Sequence, residues 1–354
     1  MENIFSNNLS TILVTGGLGY IGSHTCLELL KRGENLIIID SLENSSINVK
    51  YTIDHLLSKK NDNKNGKLIF RRGDIRDKTW LKNIFEEFTI LKIPIKTVFH
   101  FAGLKSVEES TEKPLKYWDS NVIGTINLLN IMSENDCFNL IFSSSAMIYK
   151  QNISKPFKEN SELNPNNPYA FTKFTIENIL QEIHTSEPKK WRIANLRYFN
   201  PVGAHESGLL GDNPRIRPAN LFPAIINSLQ NEIVELSIFG KDWPTNDGTC
   251  VRDFIHIIDL ANAHIAANDL LISEDPQLIT LNIGTGIGTS VLEIIKTFEK
   301  VNNCSIKYKF DERRAGDVPY IVADNSYAIK RLNWKAKKNL KDICRDTWNW
   351  AFKK

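Results

Sequence analysis

The chain has 354 residues, 42% hydrophobic and 24% charged, the balance of a folded globular protein rather than a disordered one. Its 44 Lys and Arg against 41 Asp and Glu leave a formal charge of +3, too small to mark a nucleic-acid or membrane-surface binder. Apolar runs such as Leu36–Ile39 are too short to span a bilayer, and Met1–Asn8 has no basic patch followed by an apolar stretch. The five cysteines (Cys26, Cys137, Cys250, Cys304, Cys344) are scattered and form no Cys-x-x-Cys, which predicts a cytoplasmic chain with no disulfide framework and no metal site.

In chain order, strands are predicted at Thr11–Thr15, Asn35–Asp40, Lys67–Arg72, Lys96–Phe101, Leu140–Ser143 and Arg192–Phe199. Helices are predicted between them at Tyr20–Arg32, Asp77–Leu91, Leu115–Glu134 and Pro168–Thr185, with a polar loop at Ser58–Gly66. This alternation calls for an α/β fold built on a parallel sheet with helices on both faces. Later elements are less regular. Pro and Gly punctuate Asn200–Pro223 and Gly240–Gly248, and helices are predicted at Pro218–Gln230, Ile257–Leu271, Ser290–Val301 and Asn339–Trp350. A boundary near Asn200 divides the chain into residues 1–199 and 200–354, with some later chain expected to return to the first sheet.

The first strand runs into Gly16-x-x-Gly19-x-x-Gly22 and then a helix. Glycines at these places allow a tight turn and close approach of backbone to a pyrophosphate, which the helix N-terminus then attracts. The spacing is the short-chain dehydrogenase/reductase variant of the dinucleotide fingerprint. Asp40 ends the second strand, where a carboxylate accepts hydrogen bonds from ribose hydroxyls and repels a 2′-phosphate, favouring NAD over NADP. Asp74, after the third strand, is placed to meet the adenine amino group.

Tyr169 and Lys173 lie at i and i+4 on one helix face, beyond a strand ending in Ser143-Ser144-Ser145. A free phenol, with a pKa of about 10, is a poor base. An ammonium about 6 Å away at an effective dielectric of about 20 lowers that by roughly two units, which predicts a Tyr169 tuned to take a hydroxyl proton. Ser145, at the strand's C-terminal edge, is placed to grip the same substrate oxygen.

Across nearly its whole length the chain resembles the UDP-glucose 4-epimerase family of extended short-chain dehydrogenase/reductases. The matching segments run from TGGLGYIGSH (Thr15–His24), HFAGLKSVEES (His100–Ser110) and NVIGT (Asn121–Thr125) to FSSSAMIY (Phe142–Tyr149) and NPYAFTK (Asn167–Lys173). RYFNPVGAH (Arg197–His205), GTCVRDFIHIIDLA (Gly248–Ala261) and RRAGDVP (Arg313–Pro319) complete them. The resemblance implies a Rossmann-type doubly wound sheet with a smaller mixed α/β C-terminal substrate domain. It implies Tyr169 as acid/base, Lys173 as the residue that holds the cofactor ribose and tunes Tyr169, and Ser145 as their aid. The expected NAD set is Gly16, Gly19, Tyr20, Ile21, Gly22, Asp40, Ser41, Leu42, Asn44, Ser45, Asp74, Ile75, Phe101, Ala102, Gly103, Lys105, Asn121, Ser145, Tyr169, Lys173 and Phe199. For a UDP-sugar the resemblance implies Lys105, Ser145, Tyr169, Asn200, Asn220, Leu221, Phe239, Arg252, Arg314 and Asp317, with Phe239 on uracil and the two arginines on the diphosphate.

The activity so implied is reversible epimerisation at C4 of UDP-glucose and UDP-galactose through a 4-keto sugar, in a homodimer joined through Leu115–Glu134 and Pro168–Thr185. A 4,6-dehydratase on the same fold usually carries an acidic pair after its Ser/Thr, where this chain has Ala146-Met147. The motifs also leave room for an epimerase of N-acetylated or pentose UDP-sugars and for a silent NAD-binding protein. The chain departs from the family pattern at Ser120, Lys150 and Ile321; the last, four residues after Asp317, leaves acceptance of N-acetyl sugars open.

Overall fold

Strand β1 (Thr11–Thr15) is buried along its entire length, as are β2 (Asn35–Asp40) and β5 (Asn139–Ser145). That is the signature of strands covered by helices on both sheet faces. The computed structural model describes residues 11–58, 65–150, 156–213, 220–231, 234–314 and 317–352. The expectations for Met1–Asn8, for most of Ser58–Gly66, for Pro218 as a helix start and for the Ala315-Gly316 step lie outside the described residues.

In chain order the elements are β1, α1 (Tyr20–Lys31), β2, α2 (Asn48–Ser58), β3 (Leu68–Arg72), α3 (Lys78–Ile90), β4 (Ile95–His100), α4 (Val107–Glu112), α5 (Pro114–Tyr117), α6 (Gly124–Glu134) and β5. They continue with α7 (Pro168–Ser186), β6 (Arg192–Tyr198), β7 (Asn200–Val202), α8 (Leu221–Gln230), β8 (Leu236–Phe239), β9 (Val251–His256), α9 (Ile257–Ser273) and β10 (Leu278–Ile283). The last are β11 (Gly288–Ser290), α10 (Val291–Asn302), β12 (Tyr308–Asp311), β13 (Tyr320–Ile321), α11 (Ser326–Leu332) and α12 (Leu340–Phe352).

The chain forms two compact units. The first holds the residues up to Ile148 together with Leu163–Arg197 and Ala261–Leu281, and contains a parallel seven-stranded sheet in the order β3-β2-β1-β4-β5-β6-β10. This is the Rossmann-type doubly wound order, and the direction of winding reverses between β1 and β4, the place where such sheets bind ligands. Leu13, Ile37, Val98, Leu140, Phe142, Phe85 and Leu128 fill its core, each fully buried side chain contributing about 1.5–3 kcal/mol. The sheet's last strand, β10, is absent from the sequence-based expectation, because LITLNI (278–283) sits in chain assigned to the irregular second half.

Helices α2, α4 and α11 are likewise absent from that expectation, and a further difference lies in Leu115–Glu134, expected as one helix. Residues Trp118–Ile123 instead adopt the wider π-helical winding between α5 and α6. Asn121 sits there, 1% exposed, and turns its amide inward to partners described below. A π-bulge re-aims a side chain at the cost of regular helix bonding, and no local composition signals it.

The second unit comprises Tyr149–Glu162, Tyr198–Leu260 and the chain from Asn282 on. It carries β9 paired with β7, β11 and β13, a two-stranded β8–β12 ribbon, and helices α8, α10 and α12 around a core that includes Phe222, Ile225, Phe254 and Phe298. Helix α8 begins at Leu221. No helix among the described residues is long and apolar enough to cross a membrane.

Candidate active site

In the first unit, Gly16 has φ +66°, and a Cβ there would lie 2.7 Å from the Ala102 backbone nitrogen. Only glycine fits a left-handed turn packed so closely on the segment after β4. A Cβ on Gly22 would meet the Gly16 carbonyl oxygen at 2.5 Å. Gly19 is the N-cap of α1 and no side chain caps that end, so the helix offers its positive pole to an anion. Such a cradle fits a dinucleotide diphosphate. Tyr20, in the first turn, carries the Lys105 ammonium 5.9 Å from its ring centre.

Asp40 is 8% exposed and accepts three hydrogen bonds from the chain: Leu18 N at 3.0 Å, Leu42 N at 2.9 Å and Ser45 Oγ at 2.7 Å. A carboxylate has about four acceptor positions, so about one is left for an added hydroxyl. Ser41 accepts from Glu43 N, and Leu42 takes a positive φ of 62° to let the loop, which includes Asn44, curl back. Burial works against the Asp74 carboxylate, but three Arg76 hydrogen bonds and the Arg76 charge outweigh it and hold Asp74 below the ordinary carboxylate range. Its neighbour Ile75 is buried.

Past β4, Phe101 N donates to Thr15 O at 3.0 Å and Ala102 N to Thr15 Oγ1 at 3.2 Å, locking this segment against β1. The Asn121 side chain accepts from Leu104 N at 2.8 Å, donates to Leu104 O at 3.1 Å and donates to Thr172 Oγ1 at 3.0 Å. Gly103 lies directly beneath that amide. Asn121 thus ties the turn after β4 to α7 beside Lys173.

Asn167 caps α7 by accepting from Ala170 N at 2.9 Å, and Pro168 opens its first turn. Lys173, 5% exposed, donates to Ser143 O at 2.7 Å and lies 4.9 Å from the Phe142 ring centre. Burial pulls its pKa down to about 8, against the opposing charge of Glu177. Ser145 Oγ accepts from Met147 N at 3.2 Å, and the Ser145 side chain beside Tyr169 favours its phenolate form. Sequence reasoning expects Lys173 to lower the Tyr169 pKa. In the structure burial raises it, with the Ser145 side chain opposing. The Lys173 ammonium is instead turned to the Ser143 carbonyl.

The second unit brings two pairs together. The Arg314 guanidinium lies 3.6 Å from the Phe239 ring centre, and Arg252 Nη2 stands 3.7 Å from Asp317 Oδ1. Arg252 also donates to the carbonyls of Val251 and Val318. Ile321 is its partner across the β13–β9 ladder. Phe199 is buried with its N–H on Ile283 O, Asn200 pairs with Phe254 in the β7–β9 ladder, and Asn220 and Leu221 form the N-cap and first residue of α8.

Comparison with known proteins matches this geometry. A sequence profile described as GDP-mannose 4,6 dehydratase covers residues 13–347. A Pisum sativum protein named bifunctional UDP-glucose 4-epimerase and UDP-xylose 4-epimerase 1 is 45% identical over 96% of this chain and 95% of its own. The UDP-glucose 4-epimerase of Dictyostelium discoideum is 44% identical, over 96% and 95%. The chain belongs to the UDP-glucose 4-epimerase family.

Two solved epimerases of that family share the fold. The Stenotrophomonas maltophila enzyme with bound NAD and formylated UDP-arabinopyranose gives a TM-score of 0.90 at 41% identity, over 97% of this chain and 98% of that one. The Bifidobacterium longum enzyme in complex with NAD+ and UDP gives 0.88 at 40%, with the same coverage. Sequence reasoning missed three buried polar residues near Tyr169 and Lys173: His100, Glu177 and Arg197. His100 lies between the hydroxyls of Thr15 and Thr125, at 2.7 and 2.8 Å. Their burial was the missing signal, and burial of a polar side chain is settled only by packing.

Proposed function

We propose that the chain interconverts UDP-glucose and UDP-galactose by inverting C4 through a transient 4-keto sugar, with NAD as resident cofactor. The observation that carries this is the placement of Ser145, at the C-terminal end of β5, beside Tyr169 in the first turn of α7, with Lys173 one helical turn further along. The Gly16–Gly22 turn and α1 hold the NAD diphosphate, the loop after β2 holds its adenosine ribose, and Phe101–Lys105, Asn121 and Lys173 hold the nicotinamide half. What NAD supplies when bound there is a positively charged hydride acceptor that becomes the donor on the return.

Tyr169 removes the proton from the C4 hydroxyl and later returns one to the C4 oxygen once the keto sugar has presented its opposite face for reduction, while Ser145 donates to the same sugar oxygen. Lys173, on the Ser143 carbonyl in this structure, turns to the cofactor ribose when NAD is bound and from there presents its charge to the developing phenolate. Arg252 and Arg314 grip the UDP diphosphate, Phe239 stacks on uracil, Asp317 accepts from the ribose, and Asn200, Asn220 and Leu221 complete the nucleotide contacts. Anchoring through UDP leaves the keto-hexose able to turn over and present its second face.

Ala146–Ile148 after Ser145 form a 3₁₀ turn that carries no carboxylate, which disfavours elimination of water by a 4,6-dehydratase route. The exposed apolar side chains Leu115, Ile123 and Phe171 on the α5–α6 and α7 helices support a homodimer formed through them. Five unpaired cysteines support a cytoplasmic location. The deciding experiment incubates purified chain with UDP-galactose without added NAD. UDP-glucose is the expected product, and release of a 4-keto-6-deoxy sugar would overturn the proposal. UDP-xylose and UDP-N-acetylgalactosamine, run alongside, define the sugar range.

A further inference from the structure

Glu177 and Arg197 form an ion pair whose side chains are 7% and 6% exposed. Arg197 Nη2 donates to Glu177 Oε2 at 2.6 Å, and its Nε reaches both carboxylate oxygens, at 3.0 and 3.2 Å. Ser144 Oγ donates to Glu177 Oε1 at 2.5 Å. Desolvating two charges costs several kcal/mol, and an apolar pair of similar volume is often as stable. Burial of this pair therefore points to a task other than stability.

Its location defines that task. Tyr169, Lys173 and Glu177 follow at i, i+4 and i+8 along one face of α7. Ser144 is flanked by Ser143, whose carbonyl takes the Lys173 ammonium, and by Ser145, whose side chain stands beside Tyr169. One carboxylate thus fixes α7 to the strand end that the pair works against, and to β6 through Arg197. Among the described residues, the groups that bear on the Lys173 ammonium are Glu177 on α7, His100 on β4, and the Phe142 ring and Ser143 carbonyl on β5, with Arg197 on β6 behind Glu177. His100 is held neutral by burial, so Glu177 is the anion in this group.

We propose that Glu177, held by Ser144 and Arg197, is a positioning residue for the Tyr169–Lys173 pair: it sets α7 against the end of β5, where the Ser143 carbonyl takes the Lys173 ammonium. The Glu177 charge also opposes the effect of burial on that ammonium. The inference rests on the epimerase reading for its kinetic consequences only. Removing the Glu177 charge leaves burial unopposed, so Lys173 gives up its proton at lower pH, and activity that needs the ammonium falls off earlier as pH rises.

The test follows the Lys173 Cε resonance by NMR titration, together with the pH profile of UDP-galactose turnover, in the full chain. In Glu177→Gln both midpoints should move down by about one pH unit. The double variant Glu177→Gln/Arg197→Gln buries no unpaired charge and should fold yet keep the lowered midpoints. Ser144→Ala retains both charges and should lower kcat about fivefold with KM unchanged and the midpoints in place. A double variant that titrates like the unaltered chain, or a Ser144→Ala kcat within about twofold of it, assigns the pair to stability alone and overturns the proposal. If the unaltered chain turns over no UDP-sugar, the epimerase reading fails while the Lys173 titration still decides this one.

Discussion

The backbone N–H of Leu18, inside the glycine turn, donates to the Asp40 carboxylate at the end of β2 at 3.0 Å. Asp40 is thus a brace for the phosphate cradle as well as a candidate ribose partner. Asp40→Ala leaves the N–H groups of Leu18 and Leu42 and the Ser45 hydroxyl without their acceptor. We expect a loss of about 2–4 kcal/mol in urea unfolding, together with loss of co-purifying NAD. A variant of unchanged stability would remove the bracing role.

Tyr169→Phe deletes the proton-transfer group while keeping the ring. UDP-sugar binding should persist, measured by calorimetry, while turnover falls by several orders of magnitude. Turnover near that of the unaltered chain would take Tyr169 out of the mechanism.

Arg314 lies on the face of Phe239. If uracil stacks on that ring, the guanidinium must leave it when UDP binds, and Phe239→Ala removes the platform for both. The KM for UDP-galactose should rise about tenfold or more with kcat changed much less, since base stacking is made equally in the ground and transition states. An unchanged KM would place uracil elsewhere.

His100 gives a pH test of stability. Burial, with the Lys173 charge adding to it, holds its pKa at about 3, against 6.5 for an unhindered imidazole. The unfolded chain therefore binds a proton that the native chain refuses between those values. The stabilisation is complete above about pH 6.5 and is lost as pH falls towards about 3, by a little over 1 kcal/mol per unit. Urea unfolding from about pH 7 down to about pH 5 should show this slope, and His100→Asn should flatten it. Equal slopes in the two proteins would mean that His100 is protonated in the native state.

The cofactor half was largely legible in the sequence because its signals are local. β1, α1, β2 and the glycine turn depend on short-range sterics, strand ends on continuous apolar runs, and the Tyr169–Lys173 spacing on helix periodicity alone. The UDP-binding candidates carried no such period. Phe239, Arg252, Arg314 and Asp317 were found through the resemblance, since each alone reads as an ordinary core or surface residue.

Sequence by itself therefore determined the class of sheet, the glycine turn and the candidates for the reacting side chains. Packing decided the rest: the π-helical winding that turns Asn121 inward, the return of Leu278–Ile283 as the seventh strand, the neutral His100 and the buried Glu177–Arg197 pair. The reason is physical. Backbone geometry is written in neighbours along the chain, whereas the charge a side chain carries depends on how much water the distant chain removes from around it.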